Sequence, residues 1–260
     1  MKKIQVIIAT HKPYPMPDED IYLPLHVGAE GKESFGLQGD NVGENISEKN
    51  PNFCELTGLY WAWKNSDADY IGLVHYRRHF SGKTSFVVNG KTKRVLDRNS
   101  LEHALTLTDV ILPKKRNYFI ETLYSHYEHT MYVEPLDKTG EIIKEKFPQY
   151  FAEFNKLKKR RKAHMFNMFV MKRDVFNKYC AWLFDVLFDL EKMVDSSKYD
   201  SFHARFYGRV SELLLDVWLN TNQITYKEIK VKNIEKINWW KKGTSFLKAK
   251  FKKEKYEKSF

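Results

Sequence analysis

Cysteine is nearly absent from this chain of 260 residues: Cys54 and Cys180 are the only two, and they form no Cys-x-x-Cys pair. A disulfide framework and a thiolate zinc site are therefore not expected, and a reducing cytoplasm is the expected compartment. Long apolar runs are missing as well. No segment approaches the roughly 18–20 consecutive apolar residues of a spanning helix, and no extended apolar stretch follows Lys2 and Lys3, so neither a membrane span nor a secretion signal is expected. Internal repeats and low-complexity segments are also lacking. Acidic residues are outnumbered, 33 against 44 basic, which leaves a net charge of +11. That excess is concentrated: eight lysines stand against Glu254 and Glu257 between Lys241 and Phe260, more than half of the total. A pI of 9.3 and the basic run Lys158–Lys162 raise a nucleic-acid-binding module as a competing class, but the charge sits mainly in the tail and no nucleic-acid motif accompanies it.

What is present suffices for a core. A hydrophobic fraction of 42% with 15% aromatics excludes a disordered chain. Patterning predicts one large domain over 1–225 and a basic, aromatic extension over 226–260. Strands are expected at 2–10, 70–74, 109–113 and 166–171, and helices at 55–63, 96–105, 118–131 and 139–157. Further helices are expected from Asp174 to about Val194 and from Ser211, read as an N-cap, to about Asn222. Asn89-Gly90 marks a hairpin, and 28–52 a long polar loop. The alternation of strand and helix argues for an α/β fold with a mostly parallel sheet flanked by helices.

The segment YIGLVHYRRHF at 70–80 carries the most chemistry. An apolar strand runs directly into His75, Tyr76, Arg77, Arg78 and His79, and ligands of open α/β sheets sit beyond the carboxyl ends of the strands. Two guanidinium charges there predict an anion, with a diphosphate as the best fit. In an extended segment Arg77 and Arg78 point to opposite sides, so one of them is expected to face the ligand. Thr10 and His11, at the end of the first strand, are assigned to the same donor site. In the polar loop Asp40, Asn41 and Asn45 offer groups to read a base or ribose, and are equally ordinary turn formers. Tyr60 either stacks on the base or fills the core.

Four ordered blocks, DNVGENISEKNPNFCELTGLYWAWKN (40–65), YIGLVHYRRHF (70–80), NMFVMKRDVFNKYCAWLF (167–184) and RFYGRVSELLLDVWL (205–219), resemble a bacterial family of capsular and exopolysaccharide biosynthesis proteins. That family is filed as a domain of unknown function and regarded as glycosyltransferases. The resemblance implies a GT-A-like, Rossmann-type sheet and transfer of a hexose, galactose or galactofuranose, from a UDP-sugar to a lipid-linked oligosaccharide. Many GT-A enzymes end the central strand in Asp-x-Asp, which holds a divalent metal. Here His75–His79 occupy what looks like that place, so the arginines are expected to replace the metal's charge and no cofactor to be required. Manganese or magnesium held by the histidines is the alternative.

Glu212 is the expected general base and Asp216, one turn on, the second candidate; in the resembled class a carboxylate opening a late helix takes the acceptor proton. The competing role for Glu212 is to complement a helix dipole. His129, Asp137 and Asn167 are assigned to the sugar, while His164 and His203 are expected to be structural. Interleaved lysines and aromatics in the extension predict a peripheral tether to the anionic inner face of the plasma membrane. A non-catalytic scaffold is the remaining alternative.

Overall fold

The computed structural model describes residues 2–235. The chain opens with β1 (Ile4–Thr10), β2 (Tyr22–His26) and the two-residue β3 (Gln38–Gly39), followed by α1 (Asn50–Phe53) and α2 (Leu56–Asn65). Next come β4 (Tyr70–His75), β5 (Arg78–Phe80), the hairpin β6 (Thr84–Val88) and β7 (Lys91–Val95), then α3 (Arg98–Ala104), β8 (Val110–Pro113) and β9 (Arg116–Asn117). Three helices follow, α4 (Leu123–Thr130), α5 (Glu134–Lys146) and α6 (Pro148–Lys159). The remainder comprises β10 (Lys162–Ala163), β11 (Phe169–Lys172), α7 (Arg173–Met193), α8 (Phe206–Thr221), β12 (Lys227–Ile229) and β13 (Val231–Asn233).

The central sheet runs β12-β8-β11-β4-β1-β2-β3. β1 pairs in parallel with both β2 and β4, β2 with β3, and β8 with β12. β11 is inserted antiparallel between β4 and β8. Close approach of β11 requires Gly72: a Cβ there would lie 2.8 Å from the Phe169 carbonyl oxygen and 2.9 Å from a Val170 methyl.

Both faces of the sheet are covered at its centre, so β1, β4, β8 and β11 are apolar almost throughout rather than alternating. Ile7, Ala9, Ile71, Leu73, Phe169 and Met171 face the large core built with α2 and α4–α8. Val6, Ile8, Val74, Ile111 and Val170 face a second core with Leu101, Ala104 and Leu105. Each Val, Leu, Ile, Phe or Met among them, fully buried, contributes about 1.5–3 kcal/mol.

Several boundaries differ from the sequence reading. The single helix expected over 139–157 is two, because Pro148 supplies no N–H and disfavours helical backbone at Phe147, which stands at φ −133°. The helix expected from residue 118 begins at Leu123, capped by Thr122, whose hydroxyl accepts from the Ser125 N–H at 3.1 Å. Asp97 caps α3 by accepting from Ser100 at 2.9 Å. The last long helix starts at Phe206, five residues before Ser211, so Ser211 and Glu212 lie in its interior. The sheet also continues past the boundary expected at 225, since β12 pairs with β8 and β13 with β5. The tether expected in the extension falls largely on residues 236–260, outside the described residues.

Candidate active site

The carboxyl end of β4 does not continue as an extended strand. Tyr76 and Arg77 form a tight turn, and His75 pairs with Arg78 across it. The turn alters which way the arginines face: Arg77 and Arg78 both line a cavity of about 580 Å³, together with His11, His75 and Tyr76. His79 points away from it. It is buried against Tyr22 and Phe86, neither ring nitrogen has a hydrogen-bond partner, and burial pushes its pKa down to about 3. The assignment of His79 to the donor site is thereby corrected.

α8 forms the facing wall, with Arg205 just before it and Gly208, Arg209, Glu212 and Leu213 along it. Glu55, at the N-cap position of α2, completes the floor. A hydrogen-bonded chain holds this floor. The Asn167 amide donates to Glu55 Oε1 at 2.8 Å and to the Gly208 carbonyl at 3.1 Å, while Ser211 Oγ donates to Asn167 Oδ1 at 2.8 Å. Asn167 reaches these partners from a left-handed backbone, φ 51°, following Phe166 at φ 81°. The Phe166 carbonyl accepts from His75 Nε2 at 2.6 Å and so joins the start of β11 to the end of β4.

Lys32, Arg77, Arg78, Arg116, Arg205 and Arg209 line the cavity against two carboxylates, Glu55 and Glu212. Their environments push the two carboxylates apart. Burial raises the pKa of Glu212, with Glu55 adding to the rise, and Arg209, 3.7 Å away, Arg78 and Arg116 only partly offset it. Burial acts on Glu55 in the same direction but is outweighed by His75, the Asn167 amide, its own backbone N–H and Arg209, and its pKa is lowered. His75 itself is lowered by burial, with Arg78 and Arg77 adding to the shift. Arg205 Nε donates to Cys54 Sγ at 2.9 Å, and burial still pushes that thiol up to about 11.

A third wall comes from α4, with His126, Tyr127, Thr130 and Met131, and from Tyr118. Glu121, buried, bridges two imidazoles: His126 Nδ1 at 2.9 Å and His129 Nδ1 at 2.7 Å. Burial pushes His126 down to about 4 despite that carboxylate. A neutral His126 donating from Nδ1 has its acceptor atom at Nε2.

Other expected site residues lie outside this lining. Asp40 is fully buried and saturated by the N–H groups of Gly28 and Ala29, by Ser47 Oγ and by Thr57 Oγ1 at 2.6 Å, so it organises the polar loop and has nothing left to offer a nucleotide. Asn45 closes a turn through the Gly43 carbonyl and the Ser47 N–H. Asn41 is exposed on that loop. Thr10 is buried with its hydroxyl on the Lys12 carbonyl, and Tyr60 packs on Trp63 and Phe184 while donating to Glu44. His129 is held by Glu121 behind His126. Asp137 accepts from Tyr124 and Lys158 on the outer side of the helices, and Asn167 acts through Glu55 instead of lining the cavity. Asp216 is buried against the Nδ1 and backbone N–H of His164, whose Nε2 is 3.0 Å from Glu228. Asp216 thus ties α8 to β10 and β12. The sequence reading passed over Lys32, Arg116, His126, Arg205 and Arg209. Arg205, Arg209 and Glu212 are spaced i, i+4, i+7, a single helical stripe that becomes visible once the helix is begun at Phe206.

Residues 5–223 match the family model described as "Domain of unknown function (DUF4422)". The chain belongs to this family. Every residue lining the cavity lies inside the DUF4422 span. A solved structure described as the bifunctional glycosyltransferase WbbM in its apo form aligns with a TM-score of 0.81 at 28% identity. The alignment covers 90% of this chain and 46% of that one, so this DUF4422 chain spans less than half the length of WbbM. No curated protein matches. The fold is thus a glycosyltransferase-like α/β sheet. Among the described residues no cluster of three or more His, Cys, Asp or Glu side chains is placed to hold a metal ion, and Glu55 and Glu212 are engaged with Asn167 and Arg209.

Proposed function

We propose that this protein transfers a sugar from a nucleoside-diphosphate donor to a hydroxyl group of a growing glycan. One observation carries the reading: a single cavity at the carboxyl end of β4 combines a cation-rich lining with Glu212, a buried carboxylate of raised pKa. The guanidiniums of Arg77 and Arg78 are suited to a diphosphate through charge-assisted, bidentate bonds. As the acceptor oxygen bonds to the anomeric carbon, the bond from that carbon to the diphosphate breaks and its electron pair leaves with the nucleotide. The hydroxyl proton passes to Glu212, whose raised pKa makes it the stronger base of the two carboxylates. Glu55 stays ionised and offsets charge that builds at the sugar. Countercharge for the departing diphosphate comes from the arginines, so donor binding without a metal belongs to the proposal.

UDP as the nucleotide and a hexose, galactose or galactofuranose, as the cargo follow the family resemblance. The same source supports a lipid-linked oligosaccharide acceptor, a role in capsular or exopolysaccharide synthesis, and a tether to the inner membrane face through the basic extension. Likeness to WbbM over most of this chain supports the reaction class. The test is thermal stabilisation by UDP, GDP and CMP, followed by mass spectrometry of transfer from the matching sugar nucleotide. Stabilisation by UDP with a glycosylated product is expected. Stabilisation by oligonucleotides alone would replace the proposal with nucleic-acid binding, and indifference to every nucleotide would replace it with a scaffold.

A further inference from the structure

Phe119 is 72% exposed and Ile120 57% exposed, the one adjacent pair among the large apolar side chains that the described residues leave in solvent. This pair is held out by construction. Phe119 stands at φ 53°, a backbone region that a bulky L-residue seldom adopts. Its N–H donates to Asn117 Oδ1 at 3.0 Å, its carbonyl accepts from Arg161 Nη1 at 3.0 Å, and the Ile120 N–H turns back to the Tyr118 carbonyl at 2.6 Å. Below the turn, β9 and β10 are paired, and Tyr118 donates from its backbone to Arg161. The result is a short braced finger with two apolar side chains at its tip.

Cations flank its base. Lys114 and Lys115 lead into β9, and the run Lys158, Lys159, Arg160, Arg161, Lys162 leads into β10. Among the described residues Lys158 and Arg160 are paired with Asp137 and Glu153, whereas Lys159, Arg161 and Lys162 make no ion pair. An apolar tip within a basic collar matches the interface of an anionic bilayer, where aromatic and aliphatic side chains enter the headgroup region and each nearby lysine or arginine adds about 1 kcal/mol. Nucleic acid would use the cations but would leave the aliphatic Ile120 without a partner.

We propose that the 119–120 finger inserts into the surface of an anionic membrane and sets the mouth of the cavity against it. Tyr118, the residue before Phe119, lines the cavity, as does Arg116. Docking therefore brings the cavity rim to the headgroups, separately from anything the residues after 235 do.

The test is flotation of the full chain with phosphatidylethanolamine vesicles containing or lacking phosphatidylglycerol, a readout independent of catalysis. Phe119→Asn with Ile120→Ser suits the backbone, since Asn tolerates positive φ, and should melt like the parent while partitioning roughly tenfold less onto the anionic vesicles. Leu107→Ser, at the exposed Leu107 outside the finger, should partition like the parent. Lys159→Glu with Lys162→Glu should weaken binding to anionic vesicles and leave binding to neutral ones unchanged. Unchanged flotation of the finger variant would overturn the proposal. So would equal binding to both vesicle types, a concentration-dependent dimer that the finger variant abolishes without an effect on vesicles, or oligonucleotide binding lost in the lysine variant while vesicles are ignored.

Discussion

The Asn167 side chain donates to Glu55 across 112 positions of sequence, at 2.8 Å. A buried carboxylate held in this way keeps its charge through that bond and the neighbouring cations. Asn167→Ala should raise the pKa of Glu55 and destabilise the fold by about 1–3 kcal/mol, the cost of leaving buried polar groups unpaired. Urea unfolding reads the second effect. A transfer rate lost at low pH and partly restored at high pH reads the first, and a purely structural residue would not produce that pH dependence.

Glu212→Gln separates chemistry from binding. The substitution keeps shape and removes the base, so transfer should fall by about 10²–10⁴-fold, while nucleotide affinity is retained. In the parent the base must be deprotonated, so activity falls as pH drops through the pKa of Glu212. Because that pKa is raised by burial, the acid limb of kcat/KM should lie above the ordinary glutamate range.

Asp216→Asn is expected to behave differently. Asp216 is bonded to His164 and lies outside the cavity lining, so its loss should lower stability by about 1–3 kcal/mol and leave the acid limb where it was. Parallel pH profiles and melting curves of the two variants distinguish base from brace.

Arg77 and Arg78 should not be equivalent. Arg77 is partly exposed and lies 3.9 Å from Glu235, whereas Arg78 is packed over the Phe166 ring at 4.8 Å. Arg78→Ala should weaken UDP binding by roughly 10–100-fold, the worth of a charge-assisted bond, and Arg77→Ala by less. Calorimetry with and without a chelator measures both and checks at the same time that the affinity needs no divalent ion.

His79 carries a stability prediction of its own. Its folded pKa of about 3 lies below the unfolded value near 6.5, so the unfolded chain binds the extra proton between these limits. Its contribution is complete above about pH 6.5 and is lost as pH falls, by at most about 1.4 kcal/mol per pH unit. His79→Phe, matching Tyr22 and Phe86, should flatten that loss in urea midpoints taken at pH 7 and pH 5. A residual slope remains from His75 and His126, which are lowered in the same direction.

The parts of the fold legible in sequence were those with local causes. The apolar runs at β1, β4 and β8 and the Asn89-Gly90 hairpin were all readable, because each depends on a few adjacent residues. Contacts made at long range were hidden. Nothing near Asp40 signals that Gly28, Ala29, Ser47 and Thr57 converge on it, and nothing near His126 announces that Glu121 will share its carboxylate with His129. The two arginines were misjudged for a geometric reason, since alternation holds along a strand and fails at a turn. His75, Arg77 and Arg78 are nevertheless visible in sequence, because charge abruptly following an apolar run is itself a local signal, whereas Glu212 is reached through the family resemblance.

The antiparallel course of β11 also bears on how the protein is made. By the time β1 to β8 have left the ribosome, His75 and both arginines of the turn have been synthesised, but the Phe166 carbonyl, Asn167 and all of α8 are still to come. The cavity is closed by the last-made third of the described chain. Arg205, Arg209 and Glu212 join the cavity only with that last part, so a chain that stops short of α8 lacks the proposed base and two of the six cations of the lining.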